Sequence, residues 1–138
     1  MSDMQAGEST RSDRVKKMAE LARQRADDES AQAQQLINEF VRQAEASGVP
    51  SVELMATAGG RAFRTGRRGW YLRRDRTIAI GTDGGYYRLG LAATPRPTAW
   101  LRGVSVEPSP PPLVVGRGGK DGESGDLKDF LARALNVG

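Results

Sequence analysis

The segment Gly69-Trp-Tyr-Leu-Arg73, followed by Thr77-Ile-Ala-Ile-Gly81 and Tyr86-Tyr-Arg-Leu89, decides the fold of this chain. Apolar and polar residues alternate along it, which is typical of strands with one buried face. Asp83-Gly84 lies before the last stretch and is favoured in tight hairpins, because glycine accepts positive φ. The sequence therefore predicts an antiparallel meander. The alternation places Trp70, Leu72, Ile78, Ile80, Tyr87 and Leu89 on one face, and Tyr71, Arg73, Tyr86 and Arg88 on the other.

Shorter stretches of the same kind predict further strands on either side of this meander. Residues 52–56 form one such stretch, and 62–65 form another that ends at Gly66. Residues 100–106 are a third, with Trp100 or Leu101 facing inward, and 113–115 are a last short one. We therefore expect a sheet of four to five strands.

Two segments have the three-to-four spacing of amphipathic helices. In 30–47, one apolar face is followed by the stop signals Gly48 and Pro50. In 126–136, Asp126 is a favourable N-cap before a clear apolar stripe. The sequence predicts an α+β fold in which an N-terminal helix and a C-terminal helix pack on one face of the antiparallel sheet.

The sequence before residue 30 gives a weaker indication of secondary structure. Residues 1–12 are small and polar without periodicity, which predicts a disordered tail before a single domain of 13–138. Residues 13–29 have a thin apolar stripe, so 13–47 is either one long helix or two, and a partner copy is one candidate to cover the first part.

A proline- and glycine-rich connection of 107–125 precedes the last helix. Its Pro108-Ser-Pro-Pro-Pro112 run must be extended, because proline fixes φ and removes a backbone donor. The loop 116–125 has five glycines, but no Ser or Thr follows Lys120, so the Walker pattern is not met. The sequence favours a linker here and leaves anion binding as an alternative.

Composition excludes several kinds of chemistry. The 138 residues include no His and no Cys, so there is no Ser–His or Cys–His nucleophile, zinc finger or disulfide. No two carboxylates are brought together by the sequence, so we expect no catalytic residues, no bound metal and no cofactor. No segment reaches the roughly 20 apolar residues of a membrane helix. The sequence predicts a cytoplasmic protein that does not bind membranes.

Charge is concentrated in the predicted sheet. Residues 61–102 hold ten basic and two acidic residues, a net charge of +8, between a net −3 for 1–60 and −1 for 103–138. The candidate binding surface consists of Arg64, Arg67, Arg68, Tyr71, Arg73, Arg74, Arg76, Tyr86 and Arg88.

Several roles fit such a surface. An acidic protein surface or a second copy of the chain is the leading partner, and nucleic acid is the alternative, because Arg neutralises phosphates and Tyr stacks on bases. In the alternative without a partner, these charges keep sheet edges and hairpin loops soluble or pair with the acidic N-terminal helix.

Three stretches resemble a family of small uncharacterised actinobacterial proteins. They are Thr65-Gly-Arg-Arg-Gly-Trp-Tyr-Leu-Arg73, Thr82-Asp-Gly-Gly-Tyr-Tyr87 and the run from Leu113 to Ser124. The resemblance covers 36–136 and implies a bacterial source of high GC content. It implies no activity, so the function stays a matter of the residues themselves.

Overall fold

A computed structural model describes residues 2–116 and 124–137, with side chains for 10–116 and 124–136. Four antiparallel strands form one sheet, and the N-terminal and C-terminal helices pack against it. The α+β fold with both long helices on one face is therefore confirmed. In chain order the elements are α1 (Ser2–Ala46), β1 (Val52–Ala58), β2 (Arg61–Tyr71), β3 (Ile78–Gly81), β4 (Tyr86–Arg88), α2 (Ala99–Arg102), β5 (Val114–Val115), β6 (Gly125–Asp126) and α3 (Leu127–Val137).

The first helix is continuous, so the choice left open for 13–47 resolves to one long helix. It also includes residues 2–12, where the sequence predicts a disordered tail. That segment contains Met, Gln, Ala, Glu and Arg, which are good helix formers. The helix ends as predicted, because Gly48 has a φ of 72°, the left-handed conformation that closes helices.

The two halves of α1 differ in burial. Every side chain from 10 to 28 is exposed, and we call this segment the arm. The second half packs on the sheet, because it presents a stripe of side chains at helical spacing. The buried members of that stripe are Ala33, Ile37, Phe40 and Ala44.

Strand β2 does not end at Gly66, as the sequence predicts, but continues to Tyr71. The register moves from Glu53 opposite Arg68 to Met55 opposite Arg64, so β2 carries two extra residues at this point. Gly66 has a φ of 72° within this bulge. A glycine that looks like a strand end is therefore the residue that lets one strand bend.

The sheet curls until β1 meets the chain that follows β4. Thr57 N–H donates to the Leu89 carbonyl oxygen, and Leu91 N–H donates to the Thr57 carbonyl oxygen, both over 2.8 Å. On β4, Ser109 N–H donates to the Tyr86 carbonyl oxygen over 2.8 Å. Both outer strands therefore have hydrogen-bonded partners beyond their sheet neighbours.

The helix side of the sheet carries the larger core. The rings of Phe40 and Trp70 meet edge to face, with centroids 5.4 Å apart and planes at 87°. The indole N–H of Trp70 donates to the Val49 carbonyl oxygen over 3.1 Å. Sheet and helix residues of this core are Trp70, Leu72, Ile78, Ile80 and Tyr86, with Ile37, Phe40, Leu127, Phe130 and Leu131.

The far side of the sheet is also buried, whereas the alternation predicts one buried face only. Tyr86 belongs to the helix side and Tyr87 to the far side, the reverse of the prediction, because Tyr86 pairs with Ile80 across the hairpin. Alternation sets the faces within a strand, but the register across the turn sets how two strands match. The far core consists of Leu54, Ala56, Ala79, Tyr87, Leu89 and Val106.

The predicted strand over 100–106 is wrong. Ala99–Arg102 forms a single helical turn, and Trp100 and Leu101 are 69% and 75% exposed instead of facing inward. The turn follows Pro97, whose carbonyl oxygen accepts from Trp100 N–H over 3.3 Å, and Thr98 is its N-cap.

The predicted last strand lies at Val114–Val115 and pairs with Gly125–Asp126 ahead of α3. The predicted C-terminal helix lies within one residue of its expected bounds, at Leu127–Val137. Most of the predicted glycine-rich linker 116–125 lies outside the described residues. The alternative prediction of anion binding concerns the same loop, so it also falls outside them.

Candidate binding cleft

Arg67 is held inside the fold. Its guanidinium carbon lies 4.9 Å from the centroid of the Tyr87 ring, and its Nε donates to the Val106 carbonyl oxygen over 3.1 Å. A second nitrogen of the group lies 3.3 Å from Asp83 Oδ2. These three contacts fix the hairpin and the chain that covers the far core, so Arg67 serves the fold.

Asp83 links the hairpin turn to this cluster. Its Oδ1 accepts from Gly85 N–H over 2.9 Å, and its Oδ2 accepts from the Tyr87 hydroxyl over 2.5 Å. Burial works to raise the pKa of Asp83, but these hydrogen bonds and the charge of Arg67 outweigh it and lower the pKa. Burial and then Asp83 raise the pKa of Tyr87 to about 12.

Three more of the predicted surface residues contact the protein itself. An Arg68 nitrogen donates to the Ser51 carbonyl oxygen over 2.8 Å. The Tyr71 hydroxyl accepts from Met55 N–H over 2.8 Å, and the Arg76 guanidinium carbon lies 5.6 Å from the Tyr71 ring centroid. The predicted Arg and Tyr surface is therefore divided, because part of it stabilises strand ends and turns.

Arg64 lies apart from the other arginines of the set. Its side chain is exposed, and its carbonyl oxygen accepts from Val104 N–H over 2.8 Å beside α2. Arg74 is exposed in the turn between β2 and β3.

The structure brings Arg73, Tyr86 and Arg88 together at one cleft of about 650 Å³. Arg88 and Tyr86 come from β4, where they share a face with Ile78 and Ile80 through the strand register. Arg73 comes from the turn after β2. The remaining lining residues are Glu29, Ile78, Ser109, Pro110, Pro112, Val114 and Gly116.

Positive charge surrounds the Tyr86 hydroxyl. Burial raises the pKa of Tyr86, and the charges of Arg88 and then Arg73 act against that rise. Arg73 has a side chain only 10% exposed, and it pairs with Asp75 over 3.3 Å. Burial works to raise the pKa of Asp75, but hydrogen bonds from Thr77 and the charge of Arg73 outweigh it and lower the pKa.

One carboxylate lines the same cleft. Glu29, in α1, accepts from Leu113 N–H through its Oε1 over 3.1 Å. This contact ties the helix to the segment before β5. Sequence analysis does not include Glu29 in the site, because its 84-residue separation from Leu113 leaves no local signal.

A smaller hollow of about 380 Å³ adjoins this cleft, since Arg73 lines both. It adds Arg74 and Arg133, with Asn136 at its rim. The Arg133 guanidinium carbon lies 4.4 Å from the Phe130 ring centroid. Four arginines, Arg88, Arg73, Arg74 and Arg133, therefore line two neighbouring hollows.

Residues 2–116 and 124–137 offer neither a metal-binding cluster nor a membrane-spanning helix. This part of the chain has no cluster of three acidic side chains that would hold a metal ion. It also has no helix with both the length and the apolar character needed to cross a membrane.

Comparison of the chain with protein-family models, with curated proteins and with solved structures finds no match. The resemblance to a family of small actinobacterial proteins stays a prediction from its residues. Function must therefore be argued from the geometry of the cleft.

Proposed function

We propose that this is a non-catalytic binding protein that holds an acidic segment of a partner protein in the cleft of Arg73, Tyr86 and Arg88. The observation that carries the proposal is the position of Arg88. Its side chain is exposed at the cleft, and it makes no salt bridge within the described part of the chain. An exposed guanidinium that makes no salt bridge within the fold can pair with a carboxylate of another molecule.

The cleft offers more than one charged contact. Arg73, Tyr86 and Arg88 all line this cleft, so two guanidinium groups and a phenol share one space. Arg73 is already oriented by Asp75, and this reduces the entropy lost when it binds. A volume of about 650 Å³ falls in the usual range for ligand clefts.

The adjoining hollow favours an extended partner over a single ion. Arg74 and Arg133 line this hollow together with Arg73. A stretch of polypeptide with several carboxylates that spans both hollows would meet four guanidinium groups. The proposal places this interaction in the cytoplasm.

The two tyrosines of the predicted surface offer no open ring on which nucleic-acid bases could stack. Tyr86 is only 4% exposed and lies on the helix side of the sheet, while Tyr71 packs with the far core. Bases need an open aromatic ring to stack on. Trp100, at 69% exposed, is the side chain that would serve, and it lies outside the cleft.

The test is fluorescence anisotropy with a labelled hexaglutamate peptide. Wild-type protein should bind it, and Arg88→Gln should weaken binding about fivefold to tenfold, the effect of one charge-assisted contact. Arg64→Gln is the matched control, because it also removes an exposed positive charge, one that does not line the cleft.

Absence of peptide binding, or equal losses in the two variants, would overturn the proposal. A labelled oligothymidine of 20 nucleotides is measured in parallel. Tight binding of that strand, lost in Trp100→Ala and kept in Arg88→Gln, would establish the nucleic-acid alternative instead.

A further inference from the structure

We propose that the arm of α1, residues 10–28, pairs antiparallel with the arm of a second copy of this chain. The first observation is an apolar surface on the arm. Val15, Met18 and Leu21 are 69%, 68% and 41% exposed. Burial of such residues against another helix gives a projecting helix the stability it lacks in water.

The apolar stripe of the arm continues the stripe that packs on the sheet. A rotation of about 100° per residue brings Ala44 back to within about 20° of the direction of Val15. Val15, Met18 and Ala22 therefore face the same way as the buried residues of the second half. One stripe runs along the whole helix, and the sheet covers only part of it.

Charge along the stripe decides the direction of pairing. Val15, Ala22 and Glu29 lie at the first position of successive heptads, and Arg11, Met18 and Arg25 lie at the fourth. In a parallel pair each residue would meet its own copy. Like charges would then face each other in the layers of Arg11, Arg25 and Glu29, which is unfavourable.

An antiparallel pair removes all three repulsions. In the register where the numbers of facing residues sum to 40, Met18 faces Ala22. Arg11 faces Glu29 of the second copy, which lies just beyond the arm and whose Oε1 already accepts from Leu113 N–H, so only part of that carboxylate is left for Arg11. Val15 faces Arg25, whose aliphatic stem packs on apolar surface while its charge stays in water. Each layer occurs twice because the pair is symmetric.

The flanks of the same register are complementary as well. Arg14 lies beside Asp28 of the second copy, and Leu21 lies beside its own counterpart at the centre. The partly exposed Leu21 thus gains an apolar neighbour. Opposite charges at such flanking positions set the orientation of paired helices.

The pairing is tested by reversing charges on the arm and measuring the molar mass of the protein in solution. Light scattering should give a dimer for wild-type protein, with Asp28→Arg weakening the dimer about tenfold. The double variant Arg14→Asp with Asp28→Arg should restore it, because the opposite charges face each other again. A monomer at every concentration, or no rescue, would overturn the proposal.

Crosslinking tests the direction of the pair. The chain has no cysteine, so one introduced thiol is its sole thiol. Leu21→Cys should crosslink through a short bismaleimide, whereas Val15→Cys should not, since its two copies lie about 15 Å apart along the axis. Equal crosslinking at both positions would show a parallel pair and overturn the proposal. Leu101→Cys, on the exposed α2, measures chance collision.

Discussion

The two faces of the sheet are covered in different ways. The helix side meets α1 and α3, and its core consists of large apolar side chains such as Phe40, Trp70 and Phe130. The far side meets the irregular chain around Val104 and Val106, and polar side chains take part in holding it.

This difference follows from backbone hydrogen bonding. A helix satisfies its own N–H and carbonyl groups, so it needs only side-chain packing to cover a sheet. An irregular segment needs outside partners. The Val106 carbonyl oxygen accepts a hydrogen bond from Arg67 Nε, and Val104 N–H donates to the Arg64 carbonyl oxygen. Polar groups at the margin of the far side therefore hold the cover of its core in place.

The largest expected loss of stability comes from a substitution on the helix side. Phe40→Ala removes a ring that is 2% exposed and packed against Trp70. The lost burial and the cavity should lower the free energy of unfolding by about 3–5 kcal/mol. Urea denaturation followed by circular dichroism measures it. Lys17→Ala, on the exposed arm of the same helix and off its apolar stripe, is the control, and it should change the value by less than about 0.5 kcal/mol.

A smaller effect is expected on the far side. Tyr87→Phe keeps the ring under Arg67 and removes the hydroxyl that donates to Asp83 over 2.5 Å. The loss should be about 1 kcal/mol, because Asp83 is half exposed and water replaces part of the contact. The same urea experiment measures it. A loss equal to that of Phe40→Ala would contradict the distinction between the two faces.

The smallest expected effect is a pH dependence of the stability that the far side contributes. The pKa of Asp83 lies below its usual 3.8 in the fold, so its charged form is favoured there. Its contribution to stability is therefore present above about pH 4 and lost as the pH falls further. The urea midpoint of wild-type protein should fall between pH 5 and pH 3, and Asp83→Asn should show a shallower fall. Identical slopes would exclude Asp83 as a source of the dependence.

The sequence predicts the helix side well. Alternation along 69–81 and the stripes of 30–47 and 126–136 name residues that do meet in one core. Both signals are local, since helical and strand periodicity are visible within ten residues. The far side is missed because its cover comes from 104–106, which has no period.

The candidate site could be predicted only in part. Arg73, Tyr86 and Arg88 belong to the predicted set and line one cleft, whereas Arg67 and Tyr71 are engaged within the fold. A charge count locates a basic region but cannot say which guanidinium groups find partners. That outcome depends on register across the hairpin and on contacts such as Arg67 with Val106, 39 residues away.

The bonds at the sheet edges have a consequence for aggregation. An open strand edge is a template for another chain, but β1 bonds Leu89 and Leu91 through Thr57, and β4 bonds Ser109 through Tyr86. Strand addition at these points would first have to displace native hydrogen bonds. The fold thereby discourages fibril-like stacking through its own backbone pairing.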